Sequence, residues 1–162
     1  MSRKTLKPKP TTANAGAPEN WTIDTPRVVE VLNRVLELEL AGTVRYMHYS
    51  FMVFGHNRIP LTAWLRGQAN ESLLHAQLAG EHITGLGGHP SLEIGELLES
   101  HQHSIDRILD EAHAHETSAL VRYRELLHLV RDRSILLEEY ARTQIASEEQ
   151  HLTEISKMRR EE

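Results

Sequence analysis

The sequence predicts an all-α protein, a four-helix bundle with one long crossover between its second and third helices, and three observations carry that expectation. Leu, Ala, Glu, Arg and His dominate while aromatic and β-branched residues are sparse, a mix that favours helix over sheet. Apolar residues recur in alternating steps of three and four along four stretches of about 25 residues each. The connections between those stretches run short, long, short, the spacing of a bundle with one crossover.

At 162 residues the chain is long enough for one domain with a real core and too short for two. Its net charge of -5, with no long run of one sign through the body, describes an ordinary soluble surface rather than a nucleic-acid binder. The absence of cysteine removes disulfides, thiolate metal sites and thiol nucleophiles together. Any bound metal must therefore be held by oxygen and nitrogen. The amino terminus lacks the apolar segment of a signal peptide and no stretch reaches the length of a membrane span, so a cytoplasmic protein with no membrane partner is expected.

Residues 1–23 are rich in Pro, Thr, Ala, Asn and Lys and cannot bury enough apolar surface to offset their ordering entropy. They are expected to form a flexible tail ahead of a bundle domain over 24–162. Arg3, Lys4, Lys7 and Lys9 precede the first acidic residue, so contact with nucleic acid is expected only through this tail.

Asp24 and Thr25 before Pro26 make a helix start, a capping side chain ahead of a proline in the first turn. The helix is expected to run to about Phe54, with Val28, Leu32, Val35, Glu39, Gly42, Tyr46, Tyr49 and Val53 on one face. Gly55, His56 and Asn57 turn the chain, and Pro60 opens a second helix reaching about Leu86. Its stripe is Leu61, Leu65, Gln68, Ser72, His75, Ala79, His82 and Leu86, and GLGGHP stops it. A crossover of about a dozen residues follows, with a third helix beginning somewhere between Leu97 and Ser104. That helix carries Ile105, Leu109, Ala112, Glu116, Ala119, Tyr123, Leu126 and Val130 in phase. After the polar turn RDRS, the fourth carries Leu137, Ala141, Gln144, Glu148, His151, Ile155 and Met158.

Each stripe holds acid, histidine or polar residues near its middle, where an unpaired charge is costly. These are Glu39, Ser72 with His75, Glu116, and Glu148 with His151. Three carboxylates crowded into a low-dielectric interior repel one another, and a bound cation removes that objection. Glu148 and His151, three apart, are neighbours on one helical face and can grip one ion together. A lone glutamate on each of two helices, with Glu-x-x-His on each of the others, is the ligand pattern of di-iron and di-manganese carboxylate bundles. Here one pair is complete and the other reads Ser72-Leu73-Leu74-His75. Glu71 points about 100° away around the helix and would substitute only in a locally distorted helix.

The stretches LNRVLELELAGTVRYMHYSF, HAQLAGEHITGLGGHPS, ETSALVRYREL and SEEQHLTEI together resemble the bacterioferritin family, over roughly residues 28–158. The resemblance implies a ferritin-like four-helix bundle whose metal and catalytic residues are Glu39, His75, Glu116, Glu148 and His151. Ser72 stands where the family has a bridging glutamate, and His115 is the alternative to Glu116 should the register shift by one. The family's haem-ligating methionine falls at Leu73, so no haem is expected. The chain ends eleven residues after His151, short of the family's fifth helix, so a homo-oligomer with a dimer as its basic unit is expected rather than a closed cage.

The function so implied is ferroxidase chemistry, Fe(II) oxidised by dioxygen or peroxide, in iron storage or detoxification. Glu148 would bridge two ions, Glu39 with His75 holding the first and Glu116 with His151 the second. With Ser72 in place, a mononuclear site or one that takes zinc or manganese is a further reading. Two others are a DNA-protecting ferritin-like protein using the basic tail, and a degenerate bundle whose interior groups bond only to one another and to water.

Overall fold

The computed structural model describes residues 21–97 and 100–160, which form four helices: α1 (Thr25–Met52), α2 (Arg58–Gly85), α3 (Ile105–Val130) and α4 (Ile135–Met158). α1 packs on α2, α3 on α4, and α1 on α3. The tail expected over 1–23, with its four basic residues, lies outside the described residues but for its last three. Among the described residues no helix is long and apolar enough to cross a membrane.

Local chemistry sets the helix ends. The Asp24 carboxylate accepts from the Arg27 backbone N–H at 3.2 Å, with Pro26 in the first turn. α2 starts two residues before the expected Pro60 and ends where Leu86 N–H donates to His82 O and Gly88 N–H to Ile83 O. Gly87 between them has φ +76°, a left-handed conformation that glycine adopts without steric cost. Ser104 and Ser134 cap α3 and α4, accepting from Arg107 N–H and Leu137 N–H.

The third helix begins at Ile105, one residue past the end of the expected window, and the crossover from Leu86 to Ser104 is correspondingly longer than a dozen residues. No helix forms among its described residues because their polar groups pair with α1 instead. Asn33 on α1 accepts from Ser91 N–H and donates to His89 O, and Gly95 N–H donates to Glu37 O at 2.8 Å. A β-carbon at Gly95 would lie 2.9 Å from that same carbonyl oxygen, so the approach requires glycine.

The apolar stripes are buried as their periods require, with departures at the ends. Ile83 rather than His82 or Leu86 is buried on α2, and Met158 on α4 is exposed. Steps alternating three and four average 3.5 residues, and over many turns they drift off the face of a 3.6-residue helix.

The buried side chains form two apolar clusters. One gathers Val28 to Leu36 of α1 with Ala79, Tyr123, Leu126 and Leu137; the other gathers Tyr46, Tyr49, Leu65, Leu109 and Ile155. Between them lies a polar layer, to which every helix contributes.

Candidate metal centre

Glu39 comes from α1, His75 from α2, Glu116 from α3, and Glu148 and His151 from α4. Each is at most 8% exposed. The structure brings all five side chains together. His75 Nδ1 lies 3.3 Å from Glu39 Oε1 and 3.4 Å from Glu148 Oε1. His151 Nδ1 lies 3.3 Å from Glu148 Oε2 and 3.5 Å from Glu116 Oε2. Two triads result, Glu39–His75–Glu148 and Glu116–Glu148–His151, each with donor atoms within 4.8 Å of one another. Glu148 belongs to both, turning one oxygen to each imidazole.

The electrostatics follow from burial opposed by neighbours. Burial alone would lower the histidine values, yet hydrogen bonds to Glu148 and Glu39 carry His75 up to about 10. Bonds to Glu116 and Glu148 carry His151 up to about 11. Burial raises the Glu116 carboxyl, and its contact with Glu148 raises it further. Glu148, although buried, is held low by its contacts with Glu116, His151 and His75. Without a cation, then, imidazolium protons hold the three carboxylates together, and those protons occupy the directions a metal would take.

Two tyrosines, both on the apolar stripes expected from the sequence, complete the layer. Tyr123 OH donates to Glu39 Oε1 at 2.7 Å, and Tyr46 OH donates to Glu116 Oε1. Each orients a carboxylate that belongs to one triad only. Burial, with the adjacent carboxylates, raises both phenols well above their ordinary value, so they remain donors.

His115 and Glu116 are both buried, but only Glu116 joins the cluster. His115 turns instead to Arg45, whose guanidinium Nη1 lies 3.4 Å from Nδ1. Burial takes this histidine down to about 4, so it is neutral, and with Nδ1 facing a donor its proton sits on Nε2. Nε2 is buried without a partner. It packs over Gly42, where a β-carbon would stand 2.5 Å from Nε2 and 2.8 Å from Ser72 Oγ. Gly42 thus clears the space in which α1, α2 and α3 meet beside Ser72.

Glu71 departs from its expected position. α2 is continuous through it, yet its carboxylate reaches the cluster: Oε2 lies 3.2 Å from His151 Nε2 and Oε1 lies 3.9 Å from His75 Nε2. Ser147 Oγ donates to Oε1 at 3.1 Å. The helical angle fixes where a β-carbon points, whereas three further torsions decide where a glutamate ends. Outside Glu71 an open groove of about 960 Å³ runs along α2, past His75 and Gln144.

Three carboxylates and two imidazoles, all buried and with no cysteine in the chain, suit hard or borderline divalent ions such as iron, manganese and zinc. The family described as Ferritin-like domain matches residues 29–161. The bacterial non-heme ferritins of Escherichia coli O157:H7 and Shigella flexneri are each 28% identical to this chain over 103 residues, 64% of its length. The match covers 62% of the length of those curated relatives. A crystal structure of ferritin-like, diiron-carboxylate proteins from Bacillus anthracis matches with TM-score 0.80 at 22% identity, covering 86% of this chain and 99% of that one. The bacterioferritin-related protein of Bacteroides fragilis, a dodecameric thioferritin, gives 0.76 at 21% identity, covering 83% and 85%. The Desulfovibrio desulfuricans bacterioferritin, with its diiron site, gives 0.76 at 23% identity, covering 83% and 79%. Structural likeness at these identities speaks for the four-helix fold, and the family match over nearly the whole bundle goes further: this chain belongs to the ferritin family, as a ferritin-like domain.

Proposed function

We propose that this chain binds two divalent ions in the polar layer and oxidises Fe(II) there, in the service of iron storage or detoxification. The observation that carries the reading is the pair of buried triads sharing Glu148, with ligand atoms drawn from all four helices. Glu148, common to both triads, would serve both ions, Glu39 and His75 would complete one site, and Glu116 and His151 would complete the other. Tyr123 and Tyr46 hold the two outer carboxylates in place. Fe(II) is the substrate: two ions give one electron each, reducing dioxygen with two protons to hydrogen peroxide, or peroxide with two protons to two waters. The carboxylates favour this direction because hard, anionic oxygen donors stabilise the higher charge of Fe(III).

Ser72 supports a second reading, a single high-affinity ion or a preference for zinc or manganese, since a hydroxyl brings no charge where a bridging carboxylate would bring one. Anaerobic titration with Fe(II), followed by exposure to air while Fe(III) absorbance is recorded, separates the readings. Two ions per chain and rapid oxidation are expected. One ion with slow oxidation favours the second reading, and no tight binding of any divalent metal overturns both.

The same proposal includes a homo-oligomer, at least a dimer. Leu73, Leu74 and Leu78 of α2 are 40–57% exposed, and Leu74 and Leu78 line the groove. Light scattering that found only a monomer at micromolar concentration would remove this part.

A further inference from the structure

Resting on that metal-binding reading, we infer that Glu71 is a positioning residue for both metal-facing histidines, and that it supplies from outside the ring pair the negative charge that Ser72 does not supply from inside. The geometry is direct. Both imidazoles turn Nδ1 inward to the carboxylate cluster, and both turn Nε2 toward this one carboxylate, at 3.2 Å for His151 and 3.9 Å for His75. A ring that gives Nδ1 to a metal keeps its proton on Nε2, and a carboxylate accepting that proton fixes the ring's rotation and makes it a stronger donor. Glu71 lies within ion-pair distance of both rings, at 3.2 Å from His151 Nε2 and 3.9 Å from His75 Nε2, and so stands where it would take up that role. Ser147, the residue before Glu148, donates to the Glu71 oxygen nearer His75 and so restrains the carboxylate across the gap between the rings.

Charge counting points the same way. Two divalent ions bring four positive charges against the three inner carboxylates Glu39, Glu116 and Glu148, leaving one unmatched. A glutamate at position 72 would balance it at the ions themselves. Glu71, one position earlier on α2, is the carboxylate in contact with both rings. Its 37% side-chain exposure places it at the boundary between the closed centre and the open groove. The link between the two half-sites has moved one residue along the helix and one layer outward.

The test uses the full chain, Zn(II) as the probe, and the variants Glu71→Ala, Glu71→Gln and Ser147→Ala. Calorimetry should show that Glu71→Ala weakens Zn(II) binding about 10- to 100-fold while two ions still bind. Glu71→Gln, which keeps one acceptor oxygen, should recover part of that loss, and Ser147→Ala should lose less than Glu71→Ala. A structural role alone would not move the second readout, exchange of the His151 Nε2–H with water in the Zn(II)-loaded protein, followed by nitrogen-15 NMR. That proton should be protected in the parent and should exchange rapidly in Glu71→Ala. If Glu71→Ala unfolds in chelator, Glu71→Gln carries the comparison. Affinity within about two-fold of the parent, or unchanged proton exchange, overturns the inference and leaves the metal-binding reading intact. A parent that binds no Zn(II), Fe(II) or Mn(II) overturns both.

Discussion

Glu148 meets two imidazoles with its two oxygens, so its removal differs from that of any other ligand. In Glu148→Ala each half-site keeps one carboxylate and one histidine, too few to hold a divalent ion tightly, and both high-affinity steps should vanish in a Zn(II) or Fe(II) titration. An unchanged stoichiometry would show that the two triads do not depend on the shared residue. A second expectation concerns protons. His75 and His151 are carried up to about 10 and about 11, so in the metal-free fold both rings are charged at neutral pH. Values raised above the ordinary histidine value mean that this proton-linked stability is fully present below about pH 6.5 and is lost as pH rises through the raised values. A metal at Nδ1 must displace the proton held there, so filling both sites near pH 7 should release about two protons, and affinity should weaken as pH falls. Calorimetry in buffers of different ionisation enthalpy reads that number directly, and release of none would mean that the rings do not become ligands. At this scale the sequence was informative where chemistry broke a pattern: Glu39, Glu116, Glu148 and His151 stand out because charge interrupts an apolar stripe. Tyr46 and Tyr123 did not, because a tyrosine on such a stripe reads as core and its hydroxyl's target depends on another helix. Glu71 is set aside by its helical angle and reaches the rings all the same, because side-chain reach, unlike helical angle, has no period.

Among the elements, α2 is where the bundle departs from the pattern its neighbours keep. α1, α3 and α4 each place a glutamate in the polar layer from their buried stripes; α2 places Ser72 and His75 there, and reaches it with Glu71 only from the rim. The space beside Ser72 is shared with Gly42 of α1 and the unpartnered Nε2–H of His115 on α3. Ser72→Glu should therefore strengthen the centre: the new carboxylate sits one turn before His75 on the same face, and His115 offers it a donor that now has no acceptor. In chelator the variant should be less stable than the parent, because a fourth carboxylate joins three that already crowd one another. With metal the order should reverse, and Fe(II) oxidation should be faster. A variant that gains neither metal-dependent stability nor rate would show that position 72 does not face the ions. The helices themselves were legible because caps and periods are local. The crossover was not, since Asn33 and Glu37 of α1, far away in sequence, decide where its backbone groups pair.

For the molecule as a whole, the polar layer divides the core. Apolar clusters on either side bury their surface favourably, while the layer between them gathers three carboxylates and two imidazolium rings at a desolvation cost that hydrogen bonds offset only in part. The metal-free fold is thus held by its ends and strained at its middle. Because the ligands come from all four helices, an ion bound there is lost on unfolding, and its binding free energy becomes folding free energy. At free metal about 100 times the dissociation constant, one site adds about 2.7 kcal/mol. In a domain of this size about 1 kcal/mol moves the unfolding midpoint by roughly 2–4 °C, so a shift of roughly 5–10 °C per site is expected between chelator and metal. Some affinity of the unfolded chain's histidines and acids for the metal would trim that figure. Thermal unfolding of the parent and of Glu148→Ala, each with chelator and with Zn(II), makes the comparison specific. The parent should rise by the full amount and the variant by little. Equal shifts in the two proteins would place the stabilising metal elsewhere on the surface, and no shift in either would mean that the imidazolium protons, rather than a cation, are what the polar layer was built to hold.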